Sequence, residues 1–287
     1  MGSIGTQSRA RRGFRRPASA SGGSPHSIRE VVAWTILVAC LTIVGAIWLD
    51  LRHLDYEDFS PAILLIGYSP ALAAIVTAVA LSGRRGLRSL LNQFGNWRAG
   101  AGWYAIAALA PVVVLLLGIG VATIRNGSPP QHWLALPALA TVGPLLGPII
   151  AGSLGEELGW RGFAQPRLQI RLDALPAAVL VGLAWSSWHL WPLLTPSGSK
   201  TATAAEVLET LARLVSTAVI YAWLYNASNR CLPMVMVAHA GHNVAVDLLA
   251  PGVVESATGS LVVALVYLAG AGAVVALTDP RTLTRGG

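Results

Sequence analysis

Charged residues are scarce in this chain of 287 residues, of which only 11% are Asp, Glu, Lys or Arg. An ordinary soluble domain carries about 25% charged residues, whereas this chain combines its low charge with a mean hydropathy of +0.60. The chain has only two cysteines, Cys40 and Cys231, which excludes a scaffold held by several disulfides. These shortages argue against a soluble or disulfide-rich protein and favour one embedded in lipid.

Several functional signatures are also missing. No H-E-x-x-H segment occurs, so the standard zinc-peptidase helix is absent. Gly118-Ile119-Gly120 lies within an apolar segment, outside the strand–turn–helix context that a phosphate-binding loop needs. The net charge of +7 comes without a folded basic surface with interleaved aromatic residues, so we expect no nucleic-acid partner. Contact with anionic lipid head groups accounts for the positive charge instead.

Apolar segments about 20 residues long, the length that crosses a bilayer, are what the chain has in abundance. They predict an all-α, polytopic membrane protein with about eight transmembrane helices. The predicted spans are Val31–Leu49, Pro61–Leu81, Gly102–Ile124, Leu134–Gln165, Ala174–Leu194, Val207–Ala227, Leu232–Ala250 and Ser260–Leu277. Residues 1–29 are predicted to be a disordered basic tail, residues 30–280 the membrane domain and residues 281–287 a short tail.

The positive charges predict how the bundle is oriented. With eight spans and a cytoplasmic N-terminus, all but four of the 20 Lys and Arg residues fall on the cytoplasmic side, as the positive-inside rule requires. The exceptions are Arg52, Arg125, Lys200 and Arg213. Both termini are therefore predicted to be cytoplasmic. The composition is typical of a multi-pass protein of a bacterial inner membrane.

The fourth predicted span contains the segment Glu156-Glu157-Leu158-Gly159-Trp160-Arg161. A carboxylate at membrane depth costs about 3 kcal/mol, and such groups usually mark a pathway or a reaction centre. Small residues at steps of four run through this span, namely Gly143, Gly147, Ala151, Gly155 and Gly159. Such a stripe predicts one helix that packs closely on a neighbour, continues to about Gln165 and stops at Pro166. The glutamates then lie ~15 Å from the inner end of the helix, inside the membrane.

Helical geometry separates the two adjacent glutamates. Successive residues of a helix are turned by about 100°, so Glu156 and Glu157 face different ways. Arg161 lies four residues after Glu157 and shares its face, so these two side chains are expected to pair. The pair would hold the scaffold and leave Glu156 free to meet substrate or water.

Two further spans carry polar residues at overlapping depths. His189 lies ~22 Å from the inner start of the fifth span, and Trp185, one turn earlier on the same face, could wall an apolar pocket. In the seventh span His239 and Asn243 are four residues apart and share a face. His242 is offset and is interpreted as a packing or supporting residue.

These groups suit the hydrolysis of an amide bond. Glu156 would deprotonate a water molecule with help from His189, while His239 and Asn243 would stabilise the oxyanion of the tetrahedral intermediate. Glutamate and histidine could equally bind a metal such as zinc, and the ligands would then be Glu156, His189 and His239. The residues alone leave both mechanisms open.

The order E-E-x-x-x-R, then aromatic-x-x-x-H, then H-x-x-x-N on three membrane helices resembles the CPBP family. These are the CAAX-prenyl-protease and bacteriocin-processing intramembrane endopeptidases, also called the ABI family. The resemblance covers about residues 134–250. It implies that Glu156 and His189 activate the catalytic water and that His239 and Asn243 form the oxyanion site.

Glu157 and Arg161 complete the first motif of this family, whereas Trp185 stands where the second motif usually has Phe. The resemblance implies a peptidase that acts on a peptide or membrane protein with a cavity open to the cytoplasm. A metal-free glutamate mechanism is the expectation, with no cofactor, and a divalent metal such as zinc is the alternative. In this family prenylated CAAX proteins are a eukaryotic substrate class, whereas the composition of this chain is typical of bacteria. The bacterial themes that the resemblance implies are maturation of secreted peptides or membrane proteins and self-immunity to bacteriocins.

Two other classes of function remain open. Buried Glu and His residues relay protons in ion-coupled transporters, although the inverted repeats of such carriers are not visible in the sequence. A catalytically silent membrane scaffold or immunity protein is the third reading. It is disfavoured because all four proposed catalytic positions hold competent residues.

Overall fold

The computed structural model describes residues 26–54, 60–134, 139–194, 203–249 and 251–285. Residues 1–25 of the predicted disordered tail lie outside the described residues. The first helix begins at His26, within the last part of the predicted tail. The described residues form ten α-helices and no β-strand. The helices are α1 His26–Arg52, α2 Pro61–Leu91, α3 Ala101–Asn126, α4 Leu139–Gly159, α5 Gln165–Leu168, α6 Ala174–His189, α7 Ala204–Ala227, α8 Leu232–Val244, α9 Pro251–Glu255 and α10 Ala257–Leu277.

The all-α membrane architecture is confirmed. Five helices, α1, α2, α3, α7 and α10, are long and apolar enough to cross a bilayer. Their outward faces carry exposed apolar side chains such as Ile36, Leu109 and Leu265, as lipid contact requires. Two of the three helices that carry the polar motifs are shorter. α6 has 16 residues and α8 has 13, about 24 and 20 Å of helix, so the count of eight spans stays a prediction.

Contacts between the segments that connect the helices show which of these segments lie at the same end of the bundle. At one end Arg167 contacts Glu30, and the Asn96 side chain donates to the carbonyl of Asn229. At the other end the Ser260 hydroxyl donates to Glu209. The first end holds the connections that the charge pattern assigns to the cytoplasm, and the second holds the predicted outer ones. Which end faces the cytoplasm remains a prediction.

The inner half of the small-residue stripe contacts α2 as expected. A methyl group on Gly159 would lie 2.5 Å from the Cβ of Pro70, and one on Gly155 would lie 2.9 Å from the ring of Tyr68. A methyl group on Gly147, by contrast, would meet no atom of the described residues within 4 Å. Close approach of α4 to α2 therefore depends on the two glycines that flank the glutamates.

The helix that carries the glutamates does not stop at Pro166, contrary to the prediction. A π-helical turn, Trp160–Ala164, joins α4 to α5, which ends at Leu168. Proline has no amide hydrogen and therefore leaves the carbonyl four residues earlier without its usual donor. That carbonyl belongs to Gly162, and the Gln93 side chain donates to it at 2.9 Å. The π turn and this outside donor let the helix continue through the proline.

The predicted short C-terminal tail packs onto the bundle. Asp279 pairs with Thr284 in an isolated β-bridge, and Leu283 is buried. The carbonyl of Arg281 accepts a hydrogen bond from the amide of Ala174 at 3.0 Å. This segment therefore satisfies amide groups at the N-terminus of α6, which otherwise lack a partner within the helix.

Candidate active site

Glu157 lies at the centre of a buried ionic cluster. Its side chain is 0% exposed, and its Oε1 accepts hydrogen bonds from Arg161 Nη1 and from His239 Nδ1, each at 2.9 Å. The expected pairing with Arg161 is therefore present. The link to His239, on α8, was not expected from the sequence. One carboxylate thus ties α4 to α8 and holds the histidine ring in place.

Arg161 also contacts two aromatic rings. It is 0% exposed, and its guanidinium lies 4.6 Å from the ring centroid of Trp185 and 5.0 Å from that of Tyr221. Such cation–π contacts stabilise a desolvated cation by about 2 kcal/mol. Tyr221 is on α7 and was missed in the sequence, because a tyrosine within a long, mostly apolar helix gives no signal of function.

Glu156 has a different environment from its neighbour. It is 9% exposed, and its Oε2 accepts a hydrogen bond from the indole Nε1 of Trp185 at 2.7 Å. Oε1 has no hydrogen-bond partner among the described residues. Trp185 therefore does more than form the expected apolar wall, because its N–H binds the glutamate. Glu156 keeps one oxygen available.

His189 is the last residue of α6 and is half-buried. Its Nδ1 lies 3.0 Å from the carbonyl oxygen of Trp185. A carbonyl oxygen only accepts, so Nδ1 must carry the hydrogen, and a neutral ring then has its lone pair on Nε2. His189 also lines a cavity of about 170 Å³ with Leu190, Leu193 and Val207 among its walls.

This cavity lies between the end of α6 and the start of α7, at the end of the bundle that holds the predicted outer connections. The sequence predicts a cavity open to the cytoplasm. The cavity beside His189 does not support that expectation.

His239 and Asn243, the expected oxyanion donors, differ in how firmly they are held. His239 is 4% exposed and spends Nδ1 on Glu157, which leaves Nε2 as its free nitrogen. Asn243, one turn further along α8, is half-buried and forms no hydrogen bond with the described residues. The described contacts therefore join His239 to the cluster and leave Asn243 beside it.

His242 has a structural partner on another helix. Its Nδ1 lies 2.7 Å from the hydroxyl of Tyr267 on α10. This contact agrees with the interpretation of His242 as a packing residue. It also removes His242 from the face that His239 presents to Glu157.

A metal centre does not fit the described side chains. Among the described residues no group of three or more His, Cys, Asp or Glu side chains could hold a metal ion. The alternative ligand set of Glu156, His189 and His239 is therefore not assembled, and we derive no step through a metal.

The comparisons with known proteins match the same part of the chain. Residues 129–245 match the family model described as type II CAAX prenyl endopeptidase, Rce1-like. This segment is therefore similar to the CAAX-protease family over 117 of the 287 residues. It contains all of the motif residues from Glu156 to Asn243, so the resemblance seen in the three motifs is confirmed.

One curated relative supports the assignment over a shorter stretch. The chain is 41% identical over 56 residues to CAAX prenyl protease 2 of Methanococcus maripaludis. The match spans 20% of this chain and 20% of the relative. Both matches therefore support the CAAX-protease family for this part of the chain, which belongs to a multi-pass membrane protein.

Proposed function

We propose that this protein is an intramembrane endopeptidase of the CAAX-protease type that uses Glu156 as its general base. The observation that carries the proposal is the unequal environment of the adjacent glutamates. Glu157 is fully buried, with Oε1 bonded to Arg161 and His239 and with Oε2 enclosed and without a partner among the described residues. Glu156 is 9% exposed, with Oε2 held by the indole of Trp185 and Oε1 unbonded among the described residues. A base needs an unoccupied oxygen within reach of water, and Glu156 meets this condition.

His189 complements this base. With Nδ1–H donated to a backbone carbonyl, its Nε2 lone pair can accept a hydrogen bond from the same water. Two acceptors then orient one water molecule, and Glu156 takes the proton as the water oxygen attacks the peptide carbonyl.

His239 acts as the oxyanion donor through Nε2, with Asn243 as its companion. Because Nδ1 already donates to Glu157, a hydrogen on Nε2 makes this ring an imidazolium. The neighbouring carboxylate stabilises that charge, and a charged donor binds a developing oxyanion more strongly than a neutral one. Glu157 therefore serves catalysis through His239.

The substrate class is a peptide or protein segment at the membrane. The relative from Methanococcus maripaludis is named CAAX prenyl protease 2, and prenylated peptides are therefore the first substrates to test. A lipid-modified peptide would bring its scissile bond to a site enclosed by membrane helices.

Cleavage of a panel of prenylated and unmodified peptides by the purified full chain tests this function. Wild-type protein should produce two fragments, and both Glu156→Ala and His189→Ala should abolish them. Wild-type rates in either variant would contradict the proposal. Repeating the assay after chelator treatment tests the mechanism, since we expect activity to remain.

A further inference from the structure

A half-open cavity of about 330 Å³ lies at the predicted cytoplasmic end of the bundle, away from the candidate active site. Helices α1, α2 and α5 form its walls. Its lining consists of Glu30, Ser82, Arg85, Gly86, Ser89, Leu90, Gln93 and Arg167. No residue of this cavity has a role in the proposed hydrolysis. Most of its lining is polar or charged, which suits a polar ligand.

A break in α2 creates the cavity. Gly83 has φ +56° and ψ −147°, a conformation that glycine adopts without steric cost. After the break the segment 84–91 turns back, so that a methyl group on Gly86 would clash with the carbonyl oxygen of Ala78. Leu90 is buried beneath this segment, while its arginines are exposed. The segment is therefore an amphipathic helix at the end of the bundle.

The charges of the lining leave one cation available. Arg167 Nε donates to Glu30 at 2.6 Å, so this pair is largely neutralised. Arg85 forms no ion pair with any described residue, and Ser82 and Ser89 add two hydroxyl donors to the same cavity. One free guanidinium flanked by hydroxyls suits a phosphate group.

The surroundings indicate that the phosphate belongs to a lipid. Val32 on α1 and Val79 and Leu81 on α2 are large exposed apolar side chains that lie one to three positions along the chain from lining residues of the cavity. The positive charges of the segment place it at the cytoplasmic membrane surface, where anionic head groups concentrate. Acyl chains can lie along the exposed faces of α1 and α2 while the head group enters the cavity.

We propose that this cavity binds the phosphate of an anionic membrane lipid, with Arg85 as its main contact. The neighbouring Arg84 offers a matched control, because it is equally exposed and carries the same charge but does not line the cavity. Native mass spectrometry of the full chain in micelles containing phosphatidylglycerol or phosphatidylcholine measures the binding directly.

Arg85→Gln should weaken phosphatidylglycerol binding about fivefold, the effect of one basic residue near a membrane surface. Arg84→Gln should change it less than twofold, and phosphatidylcholine should bind equally to all three proteins. Equal losses in both variants would indicate diffuse attraction and overturn the site. Displacement of the lipid by an equal concentration of glycerol 3-phosphate would show that the acyl chains contribute nothing, which would overturn the lipid assignment.

A second inference concerns Trp185 and rests on the proposed function. Trp185 contacts four members of the site at once. Its indole N–H donates to Glu156 at 2.7 Å, its carbonyl accepts from His189, and its ring meets Arg161 at 4.6 Å. The ring centroid also lies 5.5 Å from that of His239. The Phe that is usual in the related motif could supply the ring contacts but not the hydrogen bond.

The geometry points to Trp185 as the positioning residue that aims Glu156. By holding Oε2, the indole fixes the carboxylate and presents Oε1 to the water. Trp185→Phe should fold, since Phe is the usual residue of the motif. It should lower kcat about tenfold, the typical effect of losing a hydrogen bond to a charged group, with KM within twofold of wild type.

Two comparisons isolate the N–H group. Replacing Trp185 by benzothienylalanine keeps the fused ring but removes the donor, and should lower kcat as much as Phe does. Trp34→Phe removes an equally buried indole that donates to the carbonyl of Pro70 at 2.9 Å, and should leave kcat unchanged. A Trp185 variant with normal kcat, in an assay where Glu156→Ala is inactive, overturns only this inference. Full activity in Glu156→Ala overturns the proposed function as well.

Discussion

The candidate site has two sides, which begin at the adjacent residues Glu157 and Glu156 and differ in burial, in hydrogen bonding and in access to a cavity. The closed side, Glu157 with Arg161 and His239, is buried and joined by short ionic hydrogen bonds. The open side, Glu156 with Trp185 and His189, has one hydrogen bond to the carboxylate, a free carboxylate oxygen and a cavity beside the histidine. A turn of about 100° between consecutive helix positions is enough to separate a structural carboxylate from a reactive one.

Removing the carboxylate of the open side should have the largest effect. Glu156→Gln keeps the size of the side chain and can still accept the indole hydrogen bond, but it cannot take a proton from water. We expect kcat to fall about 1000-fold, with the thermal unfolding midpoint in detergent within about 2 °C of wild type. A large drop in that midpoint would show that Glu156, like Glu157, stabilises the fold, and would contradict the difference between the two sides.

Removing the carboxylate of the closed side should instead destabilise the fold. Glu157→Leu leaves Arg161 buried without its counter-charge, which costs about 3–5 kcal/mol of unfolding free energy. Denaturant titration in mixed micelles measures the loss. The double variant Glu157→Leu with Arg161→Met should recover most of it, because a buried ion pair can be replaced by apolar side chains at little cost. Failure to recover would show that His239, and not Arg161, is the main partner of Glu157.

Asn243 extends the comparison along α8. If it supplies the second oxyanion donor, Asn243→Ala should lower kcat about 100-fold without changing KM. His242→Gln is the control on the neighbouring face, where it contacts Tyr267, and should keep kcat within about threefold. A silent Asn243→Ala would leave His239 as the sole donor from this helix.

The smallest effects should come from the glycine stripe that supports both sides. Gly159→Ala forces a methyl group into Pro70, and overpacking of this kind costs about 1–3 kcal/mol. Gly147→Ala meets open space and should be neutral or slightly stabilising, since alanine favours helix. Equal midpoints for the two variants in a thermal melt would contradict the close approach of α4 to α2.

Relations within one helix were predictable from the sequence, and relations between helices were not. The four-residue spacing predicts the pair of Glu157 and Arg161, and steps of four predict the close approach at Gly155 and Gly159. The hydrogen bonds that join Glu157 to His239 and Trp185 to Glu156 link residues 82 and 29 positions apart. They depend on how helices rotate against each other, which periodicity does not specify.

The same limit explains the errors along the chain. Pro166 is a reliable stop signal when only local hydrogen bonds are counted. Gln93, 69 positions before Gly162, supplies the hydrogen-bond donor that Pro166 lacks. No local sequence pattern predicts this contact. The three ordered motifs were informative because their residues come from helices that contact one another, and the resemblance they indicated is supported by the match to the CAAX-protease family.

The C-terminal segment has a consequence for how the protein is made. The amides of Ala174 and Leu175 at the start of α6 donate to the carbonyls of Arg281 and Pro280, and α6 carries both Trp185 and His189. A ribosome makes these acceptors more than a hundred residues after the donors. Until residues 280 and 281 have been made, the start of α6 therefore lacks two of the hydrogen bonds that it has in the folded protein.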